Sequence, residues 1–88
     1  MHYRILLSPH AAKAYRRAPS ELKSRLDRAI EDISRSPRRG PQIKRLQGLL
    51  KEYYRYRIGD YRVLYTLSSE RREVYIDYIQ HRKDVYRG

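Results

Sequence analysis

The sequence predicts an α+β domain, a small twisted antiparallel β-sheet packed against an N-terminal α-helical hairpin in the order β-α-α-β-β-β. Three observations predict it. Tyr53 to Tyr65, YYRYRIGDYRVLY, holds two stretches of period-two alternation joined by Gly59-Asp60, a two-residue loop of the kind that closes a tight hairpin. Leu22, Leu26, Ala29, Ile30 and Ile33 recur at helical spacing. Glu73 to Ile79, EVYIDYI, alternates again and extends the hairpin into a three-stranded meander. With 88 residues and a hydrophobic fraction of 40%, residues 1–88 make one small ordered domain without internal repeats.

Taken in order, Met1 to Leu7 alternates weakly and forms a first strand. Ser8-Pro9 then supplies an N-cap with Pro at the first helical position, opening a short helix from Pro9 to about Arg17. Its Ala11, Ala14, Tyr15 and Ala18 fall near one face, small enough to allow close approach of a second helix. Pro19-Ser20-Glu21 restarts helical structure, which ends near Ser34 to Ser36, before Pro37. Arg25, Arg28, Glu31 and Asp32 lie off its apolar stripe, several in opposite-charge pairs three or four residues apart. Arg35 to Gln47, RSPRRGPQIKRLQ, is a connector punctuated by Pro37, Gly40 and Pro41 and expected at the rim of the sheet. It reads either as a solvated loop or as a positive surface along which Lys44 and Arg45 follow a nucleic-acid backbone. Leu46, Leu49 and Leu50 are expected to anchor the return into the hairpin.

In the hairpin, Ile58 faces Tyr61, Arg57 faces Arg62, Tyr56 faces Val63 and Arg55 faces Leu64. One sheet face thus carries Arg55, Arg57 and Arg62, and the other carries Tyr54, Tyr56, Ile58, Tyr61, Val63 and Tyr65, a core-facing set. A slip of one residue would bury the arginines, so the pattern selects the register. Like charges across a ladder oppose each other. The face is therefore either solvated, with its arginines splayed apart, or a site where clustered guanidiniums meet phosphate. After the turn at Ser68-Ser69-Glu70-Arg71, the last strand is expected to point Val74, Ile76 and Tyr78 to one face and Tyr75, Asp77 and Ile79 to the other. Asp77 is a candidate partner for an arginine of the cluster.

Composition narrows the function. The net charge is +11, with 21 Lys and Arg against 10 Asp and Glu. Arginine dominates, 16 to 5 Lys, and the two halves of the chain share the excess, so basicity belongs to the domain and not to a tail. A polyanion is the implied partner: nucleic acid first, an acidic protein second, and an anionic membrane third for want of a basic amphipathic segment. No Cys means no disulfide framework and no thiolate metal site. Three scattered histidines without an acidic constellation give no metal site either, and no cofactor is expected. Neither a signal peptide nor a bilayer-spanning apolar run is legible, which is compatible with a cytoplasmic protein.

GDYR-x-x-Y at residues 59–65 and HR-x-x-VY at residues 81–86, in this order and spacing, resemble the RelE/ParE superfamily of type II toxins, and the likeness spans essentially the whole chain. Its RelE branch implies a ribosome-dependent endonuclease that cuts messenger RNA in the A site without a metal. There a ribose 2′-hydroxyl attacks the adjacent phosphate, leaving a 2′,3′-cyclic phosphate and a 5′-hydroxyl. The ParE branch implies inhibition of DNA gyrase, and a non-catalytic nucleic-acid-binding module is the third reading. Both toxin readings imply a cognate antitoxin, forming a toxin–antitoxin hetero-oligomer; the first adds messenger RNA and ribosome as partners.

Carried onto this chain, the resemblance makes Arg62 the arginine that stabilises the transition-state phosphate. Arg82 becomes the basic group that protonates or neutralises the leaving oxygen, and Tyr86 the residue that stacks on a base. Arg55 and Arg57 fall where some active members carry lysines, one of them proposed as the base. A guanidinium, with a pKa above about 12, is a poor proton acceptor. His81 is the nearby residue whose ordinary pKa, about 6.5, suits proton transfer. The expected site is therefore His81 as acid or base with Arg57, Arg62 and Arg82 on the phosphate, and Arg55, Lys44 and Arg45 on the RNA backbone. The structural alternatives are a strand-end histidine bonded in the sheet for His81 and a tyrosine docking the last turn for Tyr86.

Overall fold

The computed structural model describes residues 2–85. Strand β1, Arg4–Leu7, leads into α1, Pro9–Arg17, and α2, Ser20–Arg35. A short strand β2, Ile43–Arg45, and a 3-10 turn at Gly48–Leu50 precede β3, Tyr54–Ile58, β4, Tyr61–Ser68, and β5, Glu73–His81; a last helical turn, α3, covers Arg82–Val85. The five strands form one sheet in the order β1-β5-β4-β3-β2.

Each element follows from local chemistry. Ser8 caps α1, its hydroxyl accepting from the Ala11 N–H at 3.0 Å, and Pro9 takes the first helical position, where its missing N–H costs nothing. Pro19 precedes α2, and the apolar stripe of that helix buries Leu26, Ala29 and Ile33 completely. The two helices touch through Tyr15, whose hydroxyl donates to Asp27 at 2.5 Å and whose ring lies under the Lys23 ammonium. Both helices cover one face of the sheet, meeting Tyr56, Ile58, Val63, Tyr65, Val74, Ile76 and Ile79. Full burial of each such side chain contributes about 1.5–3 kcal/mol. Tyr65, fully buried, donates its hydroxyl to the Pro37 carbonyl at 2.6 Å and so pins the connector to the core.

The α+β class and the hairpin register agree with the sequence reading, pair for pair from Ile58↔Tyr61 to Arg55↔Leu64. Four details differ. The sheet is mixed, because β1 lies parallel to β5, with Arg4 opposite Glu73 and Leu7 opposite Ile76. Parallel neighbours need a crossover, and here it comprises the helices and the rest of the sheet. Within the connector, residues 43–45 pair antiparallel with β3 and become the edge strand β2. Leu49 and Leu50 do not anchor the return: both are exposed, Leu49 completely, because the 3-10 turn lifts them off the sheet.

The fourth difference bears on the site. Alternation along β5 breaks where Leu64 pairs with Tyr78 and Tyr65 with Ile76, leaving Asp77 as the extra residue of a β-bulge. Val74 and Ile76 face the core as expected, but beyond the bulge the faces exchange: Ile79 is buried in the core and Tyr78 is exposed. Groups of the bulge have partners of their own. Ser8 donates to the Asp77 carbonyl at 2.6 Å, and Tyr53 donates to the Asp77 carboxylate at 2.8 Å. Asp77 is therefore paired with a tyrosine, not with an arginine of the cluster.

Candidate functional site

Gly59, at φ +53°, and Asp60 close the β3–β4 hairpin, and the tight turn sets Arg57 directly opposite Arg62. Gly59 occupies a left-handed conformation that a side chain resists. The Arg82 N–H donates to the Asp60 carbonyl at 2.6 Å, which brings the start of α3 onto the same turn. The result is an open cleft of about 290 Å³ lined by Arg55, Arg57, Arg62 and Arg82 together with Gly59, Asp60 and Tyr61. None of the four arginines forms an ion pair with a described carboxylate. Arg62 is held by β5, its Nε donating to the Gln80 side-chain oxygen at 3.2 Å. Leu64, opposite Arg55, is buried beneath this face, apart from the main core cluster.

The cleft thus gathers three guanidiniums of the hairpin and one from the start of α3, with Asp60 in its lining and no ion pair to a described carboxylate. Such an array binds an anion with several oxygens, and its planar forks match phosphate in bidentate geometry. No group of three or more His, Cys, Asp or Glu side chains able to hold a metal ion occurs among the described residues.

Of the residues expected at the site, Arg55, Arg57, Arg62 and Arg82 come together. Lys44 pairs with Arg55 across β2 and β3, and directly opposed residues share a face, so Lys44 extends the basic surface. Arg45 does not. It pairs with Tyr54, its guanidinium lies 5.8 Å from the Tyr54 ring centroid, and its Nε donates to the Lys51 carbonyl at 3.1 Å. Tyr86 lies outside the described residues.

His81 requires a correction. It pairs with Tyr61, on the helix-facing side, and is not among the residues lining the cleft. Gln80 stands opposite Arg62 instead. The bulge at Asp77 is the physical reason: one unpaired residue turns every later side chain of β5 to the other face. His81 has local partners, packing edge-on against Tyr61 with centroids 4.7 Å apart and accepting the Lys83 N–H on Nδ1 at 3.1 Å. The residues the sequence reading passed over are Asp60 and Tyr61, which the turn places in the cleft lining although the Tyr61 ring packs against the core; adjacency to the Gly59 turn was their signal.

Several tyrosines are strongly perturbed, all by structural causes. Burial, with donation to Asp32 at 2.5 Å, pushes the Tyr56 phenol up to about 12. The hydrogen bond to Asp77, with burial, pushes Tyr53 up to about 12. Burial also raises Tyr65. None of these three lines the arginine cleft.

Comparison with known proteins agrees with this architecture. The model of the ParE toxin of type II toxin-antitoxin systems, parDE, matches residues 5–86. The fold is similar to the RelBE2 toxin–antitoxin complex from Mycobacterium tuberculosis, with TM-score 0.80 and 25% identity over 93% of this chain and 100% of that one. It is also similar to the YoeB/ParE toxin from Agrobacterium tumefaciens, with TM-score 0.79 and 16% identity over 89% and 96%. For the isolated RelE toxin of E. coli the values are 0.77 and 21% over 90% and 83%. No curated protein matches the sequence. With its helical pair, its sheet and nearly its whole length matched, the chain belongs to the ParE toxin family of type II toxin–antitoxin systems, within the RelE/ParE superfamily.

Proposed function

We propose that this toxin is a metal-independent endoribonuclease that cuts messenger RNA in the ribosomal A site, and that it is held in check by a cognate antitoxin. The observation that carries the reading is the cleft itself: Arg55, Arg57, Arg62 and Arg82 converge on one space with no described carboxylate paired to any of them. In the reaction, the 2′-oxygen forms a bond to phosphorus while the bond to the 5′-oxygen breaks. Negative charge builds on the non-bridging oxygens, where fixed cations act most strongly. Arg57 and Arg62 stabilise that charge, and Arg82 meets the leaving oxygen. The 2′-hydroxyl proton needs an acceptor. With His81 on the other face and the Tyr61 ring packed against the core, Asp60 is the proton acceptor left among the residues lining the cleft, and it takes the role of base. Arg55 and Lys44 hold the flanking backbone, and Tyr86 stacks on a base.

A second reading, inhibition of DNA gyrase without RNA cleavage, is favoured by two observations: the matching family model is that of ParE toxins, and the histidine turns away from the arginines. Primer extension on a message bound to programmed ribosomes separates the two. Cuts within the A-site codon that vanish with Arg62→Ala are expected for the nuclease. Absence of cuts from folded wild type, together with loss of supercoiling by gyrase, assigns the protein to the second reading.

A further inference from the structure

A second basic surface lies on the opposite side of the hairpin edge. Between α2 and the connector runs a groove of about 650 Å³ lined by Arg25, Arg28, Arg35, Arg39 and Arg57, with Asp32 as its one carboxylate. Asp32 is already engaged by the Tyr56 hydroxyl, and Arg35 by Glu31 at 3.1 Å. Arg25, Arg28 and Arg39 are exposed and form no ion pair with a described carboxylate. The opposite-charge pairing that the sequence suggests for Arg25 and Arg28 is thus not made. Two features join this groove to the arginine cleft. Arg57 and Gly59 line both, and the Arg25 guanidinium stands 3.5 Å from where a Cβ on Gly59 would lie.

We propose that the groove binds the phosphodiester backbone of a single RNA strand whose reacting phosphate occupies the cleft, the strand passing over the hairpin turn at Gly59. The inference rests on the RNA-cleavage reading for the identity of the strand. Cations on both walls suit a chain that carries a charge at every repeat. The lining also holds Pro41, Ile43, Tyr56 and Ile58, so an acidic peptide is the competing occupant, but it is the arginines that dominate the exposed walls.

The test is binding, by fluorescence anisotropy, of 2′-O-methyl oligouridylates, which lack the attacking hydroxyl. A trinucleotide fills the cleft alone, whereas a decanucleotide reaches the groove. Wild type should bind the longer strand at least about tenfold more tightly. The triple variant Arg25→Ala, Arg28→Ala, Arg39→Ala should lose that preference with its trinucleotide affinity intact. Its slope of log affinity against log salt on the decanucleotide should fall by about 2, as expected for three lost single-strand phosphate contacts. Arg39→Ala alone, in the connector, repeats the test without altering α2. Three outcomes overturn the proposal: no wild-type binding to either strand, a length preference unchanged in the variants, or displacement of the decanucleotide by an oligoglutamate peptide as readily as by unlabelled RNA. Groove-dependent binding without A-site cuts withdraws the nuclease reading and keeps the groove; cuts without groove dependence do the reverse.

Discussion

At the scale of single residues, the hairpin separates its arginines from its core-packing side chains face by face. Arg62 points away from the core, opposite Arg57, whereas Tyr65 in the same strand is fully buried. Arg62→Ala is expected to lower A-site cleavage at least about a hundredfold, the scale of losing one transition-state charge donor, with a thermal midpoint close to wild type. Tyr65→Ala should cost about 3–5 kcal/mol in urea denaturation, the range for truncating a buried large aromatic ring. Comparable unfolding in both variants would contradict the face assignment. The proton carriers make a sharper contrast. Asp60→Asn should alter the pH dependence of the chemical step, and His81→Gln should leave it unchanged, because His81 packs on Tyr61 outside the cleft. A flattened profile in the His81 variant would place the histidine back among the reacting groups.

At the scale of elements, what was legible depended on how local the signal was. Helices α1 and α2 were readable because Ser8-Pro9, Pro19 and Pro37 punctuate an apolar stripe at fixed spacing. Hairpin register was readable because Gly59-Asp60 leaves one alignment that buries the tyrosines. The bulge was not: EVYIDYI alternates without interruption, and nothing in it marks Asp77 as the residue that leaves the ladder. Partners distant in sequence decide that, since the Ser8 hydroxyl takes the Asp77 carbonyl and the Tyr53 hydroxyl takes its carboxylate. One misplaced alternation was enough to move His81 to the wrong face. The arginine groove was hidden for a similar reason, because its second wall is a connector whose path follows from Tyr65 bonding to Pro37. Ser8 serves both the cap of α1 and the bulge, so Ser8→Ala should cost about 1–3 kcal/mol by urea denaturation, more than an ordinary cap. A loss under about half a kcal/mol would mean that neither bond matters to stability.

At the scale of the molecule, the tyrosines that replace other aromatics link the fold to alkaline pH. In the unfolded chain these phenols titrate near 10, while in the folded protein Tyr53 and Tyr56 are pushed up to about 12 and Tyr65 is also raised. A folded-state pKa above the unfolded one means stability that is complete below pH 10 and is lost as pH rises towards 12. The thermal midpoint should therefore be flat in this respect up to about pH 9 and fall above pH 10, less steeply in Tyr56→Phe; parallel curves for variant and wild type would remove Tyr56 from the effect.

The parallel edge of the sheet carries a consequence for when the arginine cleft is complete. Strand β1 precedes the other strands in the chain, yet among the described residues its only neighbour in the sheet is the last strand, β5, and the Ser8–Asp77 bond spans 69 positions. Pairings of such long range form late, after the loop between them has closed. The helical pair and the β3–β4 hairpin have local contacts and assemble early, but the sheet stays open, and Arg82 stays away from the arginine cleft, until translation of β5 is complete. The four-arginine cleft is thus complete only once the whole sheet has been made, and a product truncated before β5 lacks both Arg82 and the Gln80 side chain that holds Arg62.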